Sequence, residues 1–257
     1  MRPSPSRLGL HCPSKVPKEL AFPDVREALR AQLEVLVDGL AARDPDGPTD
    51  CAGWVVADLD NHLAQNLRGL AAVTERTVVG PPDGSFREWS GQLPGFAGLL
   101  DRHAREGRLH ARDFAAPALQ ALDQHPGDTV VQQLTGRHTL RDAAMFRVVE
   151  TVVHGLDVGI SPAPSALKLV VRELTKAFAQ LHPGKTVELR VPPYSAVQCL
   201  EGPRHTRGTP PNVVEAEAIA WVRVSTGRET WTALVRTGRI AASGERSDLS
   251  ELLPLLS

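Results

Sequence analysis

The hydrophobic period of the chain changes at Pro162-Ala163-Pro164, and this change constrains the fold more than any other feature. Before it, apolar residues recur every three or four positions. Val25, Leu29, Leu33, Leu36 and Leu40 form one such row after Pro23-Asp24, and Leu59, Leu63, Leu67 and Leu70 form a second from about Val56. A third begins at Thr139 and carries Leu140, Ala143, Ala144, Phe146, Val149, Val152 and Val153. Rows of this kind are the buried stripes of amphipathic helices. After the prolines, Val187, Leu189 and Val191 alternate with Glu188 and Arg190, the period of a half-buried strand. A helical block followed by a mixed block predicts two packed units.

Breakers set the boundaries. Asp44-Pro45-Asp46-Gly47-Pro48 ends the first helix and Gly80-Pro81-Pro82-Asp83-Gly84 the second. Between Phe86 and Gln124 the pattern is helical but interrupted by Pro94, Gly107 and Pro117. The Thr139 hydroxyl can cap the next helix, with Asp142 three residues on, and Gly155 or Gly159 closes it. The expected fold is α+β: a four-helix bundle over residues 21–162 and a small α+β domain over residues 165–257. Residues 1–20, rich in proline and aperiodic, read as a disordered lead-in. In the second unit the pattern predicts a helix over Leu167–Leu181 and strands over Thr186–Val191, Ala196–Glu201, Asn212–Ala216 and Arg239–Ala242. Gly202–Pro211 is turn-rich, and short helices are expected over Ala218–Ser225, Glu229–Thr237 and Ser247–Leu253.

Composition excludes several function classes. Lys and Arg total 29 against 30 Asp and Glu, a formal net charge of −1, which removes the electrostatic footprint of a nucleic-acid binder. No stretch approaches the roughly 18 apolar residues that a membrane span needs. Pro3, Pro5, Pro13 and Pro17 leave no apolar signal-peptide core near the start, so a cytoplasmic location is expected. Cys12, Cys51 and Cys199 are widely spaced, with no C-x-x-C. Neither a disulfide framework nor a thiolate zinc cage is expected, and a metal site must use His and carboxylate. Arginine outnumbers lysine 24 to 5, a hint of a GC-rich source.

The sharpest chemical feature is Glu150 and His154 at i and i+4 on the Thr139 helix, which stacks their side chains, with Cβ atoms about 5–6 Å apart. Phe146 precedes them in the same row. A carboxylate beside apolar surface must be protonated, ion-paired or metal-bound. His62, next to Leu59 and Leu63 on the second helix, offers a third inward donor. Three N and O donors leave one position open on a tetrahedral zinc, as catalytic sites do. The same spacing also occurs on helices that hold no metal, and spacing alone leaves both readings open.

The segment from Thr49 to Leu63, TDCAGWVVADLDNHL, resembles the T-P-C-x-G-W-x-V-x-D-L-x-x-H-L signature of mycothiol-dependent maleylpyruvate isomerases, which are DinB-like metal-binding bundles. Arg147 to Val158, RVVETVVHGLDV, resembles that family's second signature, E-x-x-x-H-G-x-D. The stretch from Glu217 through Thr226-Gly227-Arg228 to Gly238-Arg239-Ile240 and Gly244 is similar to its sterol-carrier-like carboxy-terminal domain. The resemblance implies that His62, Glu150 and His154 hold a divalent zinc whose open position takes the sulfur of mycothiol, the low-molecular-weight thiol of actinobacteria. It implies thiolate attack on a small electrophile, either cis–trans isomerisation of a maleylpyruvate-like substrate or S-transfer. It also implies that a carboxy-terminal arginine, aligned here with Arg239, holds a substrate carboxylate. Two positions depart from the signature: Asp50 stands where the family has Pro, a loop change of little chemical weight. Val55 stands where Ser or Thr would cap the helix, which leaves that end to Asp58.

Other residues carry two readings. Cys51 reads as a small buried hydrophobe rather than a reactive thiol. Asp157 is a second acceptor behind a ligand imidazole or a helix-end cap. Trp54 reads as core with its N–H on a backbone carbonyl, and His103, His110, His125 and His138 as surface. Arg228, like Arg239, could project from the second domain over the zinc cleft to hold a substrate carboxylate, and otherwise reads as a solvated surface residue. The expected partners are a small-molecule substrate and a thiol, without nucleic acid or a membrane span, in a monomer or weak oligomer. Nickel or iron could replace zinc in an N/O site. A non-catalytic metal- or lipid-binding carrier on the same scaffold is the rival reading, and a zinc hydrolase with water in the open position is a third.

Overall fold

A computed structural model describes residues 20–84, 86–202 and 212–256. The expected lead-in and most of the turn-rich segment after Gly202 lie outside these residues. The first half is helical: α1 (Phe22–Ala41), α2 (Val56–Ala71), α3 (Phe86–Arg105), α4 (Ala111–Gln124) and α5 (Leu140–Asp157). The interrupted stretch between Phe86 and Gln124 is thus two helices, with Pro94 and Pro117 inside them. Helices α1, α2, α4 and α5 pack around a common core, and α3 lies outside them against α2.

Local chemistry sets the helix ends. Pro23 stands in the first turn of α1, where its missing N–H costs nothing. Val55 has no capping side chain, and Asp58 Oδ2 accepts from the Val55 N–H at 3.1 Å. Thr139 Oγ1 accepts from the Asp142 N–H at 3.1 Å, the expected cap of α5. That helix ends at Asp157, and the stop comes from Gly159, at φ 70°. Gly155 has a different use, because α1 packs against it with Leu36 and Gln32 close by. The buried amide of Gln32 donates to Thr151 O and accepts from Ala163 N–H, pinning α1 to α5 and to the residue that begins α6.

One element is absent from the sequence reading. Strands β1 (Val130–Gln133) and β2 (Gly136–Thr139) form a hairpin leading into α5. Each is four residues long and lacks apolar alternation, so its sequence carries no strand period.

After Pro164 the chain forms α6 (Pro164–Leu181), β3 (Val187–Val191), β4 (Ser195–Cys199), β5 (Val213–Ala216), α7 (Ala218–Ser225), α8 (Trp231–Arg236) and β6 (Ile240–Ser243). The sheet order is β4-β3-β5-β6, with β3 and β5 parallel and the outer pairs antiparallel. Val187, Leu189 and Val191 face the helices, with Phe178 of α6 and Trp221 of α7 in edge contact at 5.6 Å. Glu188, Arg190 and Glu215 lie on the opposite face. The expected helix over Ser247–Leu253 reduces to a 3₁₀ turn, Ser250–Leu252. Helix α6 also packs on α1 and α5, joining the two units. No helix among the described residues is long and apolar enough to cross a membrane.

Candidate metal centre

Helix α5 is buried on nearly every side, so its polar residues must find partners inside the protein. His154 lies in its last turn and faces His62 of α2, with ring centroids 5.1 Å apart and nearly perpendicular. Trp54, just before α2, touches both rings, at 5.2 Å from His62 and 6.2 Å from His154. Its indole N–H donates to Asp101 Oδ1 of α3 at 2.8 Å rather than to a backbone carbonyl. That hydrogen bond holds the Asp101 carboxyl below the usual carboxylate range.

His62 is buried, with Nε2 3.1 Å from Asn66 Nδ2. Burial, and after it the positive potential of His154 and Arg147, push its pKa well below that of free histidine. The ring is neutral at pH 7, the form that ligates metals. Glu150 is half-buried, three residues after Arg147, whose Nη1 approaches Glu150 Oε2 at 2.9 Å. The approach is misaligned for a hydrogen bond. Glu150 Oε2 and Arg147 Nε are both buried with no hydrogen-bond partner. His62, Arg147 and Glu150 line one cavity of about 250 Å³ between α2, α3 and α5.

On the far side of His154 the arrangement is different. Its Nδ1 lies 2.9 Å from Asp157 Oδ2, in keeping with an imidazole oriented by a carboxylate. Cys51 Sγ lies 3.1 Å from the same oxygen and 3.7 Å from His154 Nδ1. Arg228, which precedes α8, donates from Nε to Asp157 Oδ1 at 3.1 Å and from Nη2 to Oδ2 at 3.0 Å. Its other nitrogen is anchored on Thr226 O. The Asp157 side chain is 0% exposed. Burial alone would raise its pKa, but the hydrogen bonds and charges of His154 and Arg228 outweigh this and hold the carboxyl far below the usual range. Burial, reinforced by Asp157, pushes the Cys51 thiol up to about 12. Cys51 is therefore a neutral S–H donor and not a nucleophile.

Among the described residues, the three-residue donor set whose ligand atoms all lie within 4.8 Å of one another is Cys51, His154 and Asp157. The expected set of His62, Glu150 and His154 is brought to one region but does not close to that distance. The two sets share His154.

Several expectations are corrected. Arg239 is held by Glu217 Oε2 at 3.2 Å and by both oxygens of Glu229 at 3.1 and 3.2 Å, whereas Arg228, the other arginine considered, is part-buried on Asp157. Asp50 is not idle, since its carboxylate pairs with Arg223 at 2.9 Å and its N–H donates to Asp157 O. His138 is buried, 3.1 Å from Thr135 Oγ1 and edge-on to Phe146, because the unforeseen hairpin carries it inward. His103 and His110 are exposed, as expected, and His125 is half-buried. Asn66 and Arg147 were missed, although they stand four residues after His62 and three before Glu150, positions that share a helix face with those residues.

A family model described as the mycothiol maleylpyruvate isomerase N-terminal domain matches residues 26–159. A second, described as a bacterial SCP ortholog, matches residues 164–255. A crystal structure of the mycothiol-dependent maleylpyruvate isomerase is similar in fold, with a TM-score of 0.56 at 15% identity, covering 93% of this chain and 97% of that one. A histidine-to-alanine variant of such an isomerase superposes with a TM-score of 0.57 at 13% identity over the same shares. No curated protein matches the sequence.

Proposed function

The chain belongs to the mycothiol maleylpyruvate isomerase N-terminal domain family, and on that premise we propose that it is a mycothiol-dependent isomerase-like enzyme whose His62, Glu150 and His154 hold a divalent zinc. The observation that carries this reading is the contrast between the two donor sets that share His154. Asp157 already accepts from His154, Cys51 and both branches of Arg228, so a guanidinium supplies the positive charge a metal would bring there. Glu150, by contrast, has a single guanidinium contact, Arg147 Nη1 at 2.9 Å, and its buried Oε2 has no aligned hydrogen bond, beside a neutral His62. An acceptor oxygen left with no aligned hydrogen bond is under-satisfied, and a divalent cation at the cavity face would complete its partners.

Three N/O donors with an open position suit catalytic zinc, which lowers the pKa of a thiol so that its nucleophilic thiolate is present at neutral pH. The protein's own residues do the rest. Asp157 keeps the Nδ1 proton of His154 and leaves Nε2 as the donor atom. Trp54 shields the two imidazoles from solvent, and the cavity beyond Glu150 receives the electrophile, for isomerisation or S-transfer.

Elemental analysis of the purified chain, of Glu150→Gln and of Cys51→Ala, each titrated with mycothiol, tests the assignment. The expected result is stoichiometric zinc and thiol binding in the wild type and in Cys51→Ala, with both lost in Glu150→Gln. Zinc retained in Glu150→Gln but lost in Cys51→Ala would move the metal to the other donor set and overturn the proposal.

A further inference from the structure

Helix α3 lies outside the bundle and forms one wall of the cavity between α2, α3 and α5, yet its middle is built from poor helix formers. Gly91, Pro94, Gly95 and Gly98 all fall inside it. Glycine and proline are the two residues least suited to a helix interior, and Pro94 also removes one rung of the backbone ladder. Nothing in the packing asks for glycine here. A Cβ at Gly91, Gly95 or Gly98 would meet no atom within 4 Å, and none of the three lies in the left-handed region. The two ends of α3, by contrast, are fixed. Trp89 is buried and stacks on Phe146 of α5, with ring centroids 4.4 Å apart. At the other end the Trp54 indole donates to Asp101, Arg105 Nη1 donates to Gly53 O at 2.8 Å, and Asn61 and Gln65 of α2 both donate to His103 O. Gln92, the sole polar side chain between Gly91 and Leu100, is exposed, so no side chain anchors this span to α2 or α5 by a hydrogen bond. Leu93 packs on the core, whereas Phe96 and Leu100 border the cavity.

The facing walls cannot yield in the same way, because α2 and α5 belong to the bundle core through Leu59, Leu63, Val149 and Val152. The cavity holds about 250 Å³, below the roughly 300–1,000 Å³ of pockets that enclose a small-molecule ligand. We infer that residues 91–99 of α3 are a movable wall, which unwinds locally between the fixed ends at Trp89 and Asp101 and widens the cavity for its ligand. A segment with few buried contacts opens at lower free energy than the elements around it, and such opening beside a site governs how fast a ligand enters and leaves. Phe96 and Leu100 supply the apolar surface that closes again over the cavity. The inference goes beyond the proposed metal reading and does not depend on which ion or electrophile the cavity takes.

Hydrogen exchange read by mass spectrometry tests this on the full chain, in the wild type and in the triple variant Gly91→Ala/Gly95→Ala/Gly98→Ala. Alanine at three open positions adds helix propensity without a clash, so the variant should fold and show a raised Tm. In the wild type, amides of residues 91–99 should exchange about a hundredfold faster than those of α2, α5 and residues 101–104. In the triple variant, exchange over 91–99 should slow by about tenfold or more, with α2 and α5 unchanged. Stopped-flow tryptophan fluorescence with mycothiol as the probe should show association slowed about fivefold, at unchanged zinc content. Exchange that is uniform along α3, exchange that the alanines leave unchanged, or association as fast in the variant as in the wild type overturns the inference. Mycothiol that fails to bind the wild type would sink the proposed function alone, and the two exchange measurements still decide whether the wall moves.

Discussion

Arg228 and Asp157 are joined across the two halves of the protein by a two-pronged ion pair, with N–O distances of 3.1 and 3.0 Å. The carboxylate that Arg228 grips is the one that orients His154. The carboxy-terminal α+β domain therefore reaches a proposed metal ligand through a single intermediary. Asp50 and Arg223 form a second, more exposed link beside it.

Removing the guanidinium leaves a fully buried carboxylate with weaker partners. Arg228→Ala is expected to cost about 3 kcal/mol, in the range for breaking a buried pair, and to weaken zinc binding by about tenfold or more. Arg228→Lys should recover only part, because an ammonium cannot fork onto both oxygens. Denaturant unfolding and competition with a zinc chelator check both effects.

The exposed link should matter far less. With the Asp50 side chain about half exposed, a double-mutant cycle of Asp50→Ala and Arg223→Ala should give a coupling of at most about 1 kcal/mol. Asp50→Pro should cost more than Asp50→Ala, since proline also removes the N–H that Asp157 O accepts. Thermal unfolding of the variants measures the difference.

Asn61 ties α2 to the end of α3. Fully buried, it donates to His103 O, Ala104 O and Glu106 O and accepts from Leu109 N–H. Asn61→Ala strands these backbone groups and should cost about 3 kcal/mol. The loss should appear in hydrogen exchange as faster opening of residues 103–109, with the far end of α3 less affected.

Glu173 supplies a pH signature. Burial raises its pKa despite the partly offsetting charge of Lys176. A carboxyl whose pKa is higher folded than unfolded binds protons more tightly in the native state. Its contribution is full below the unfolded value of about 4.3 and is lost as pH rises through the folded value. Wild type minus Glu173→Gln stability should therefore decline as pH rises from about 4.3 toward neutrality. A flat difference across that window would contradict the assignment.

Gly184 sits at φ 151°, where a Cβ would collide with the backbone of Leu200 and Glu201. Gly184→Ala must displace main chain rather than a flexible side chain. A loss of about 3 kcal/mol or more is expected, read from urea unfolding.

Much of the architecture was legible because it follows periodicity. The rows through Leu29, Leu63 and Val149 place α1, α2 and α5, and the alternation at Val187–Val191 places β3. His62 and His154 were legible as inward residues for the same reason, since each shares a face with its helix's apolar row. The convergence of Cys51, Asp157 and Arg228 was not legible. It depends on how α7 and α8 dock against the end of α5, and no local pattern encodes a contact between positions 71 residues apart. His138 was misjudged on similar grounds, because its polar neighbours Arg137 and Thr139 conceal a hairpin that turns it toward Phe146.

Because Asp157 draws its counter-charge from Arg228, the bundle is not electrostatically self-sufficient. A fragment ending near residue 162 would carry a buried anion stripped of its strongest neutraliser, at the spot where His154 must be aimed. Shuffling the carboxy-terminal module between relatives would preserve the site only where the incoming segment brings an arginine to the same place. That one side chain makes the two halves heritable as a unit.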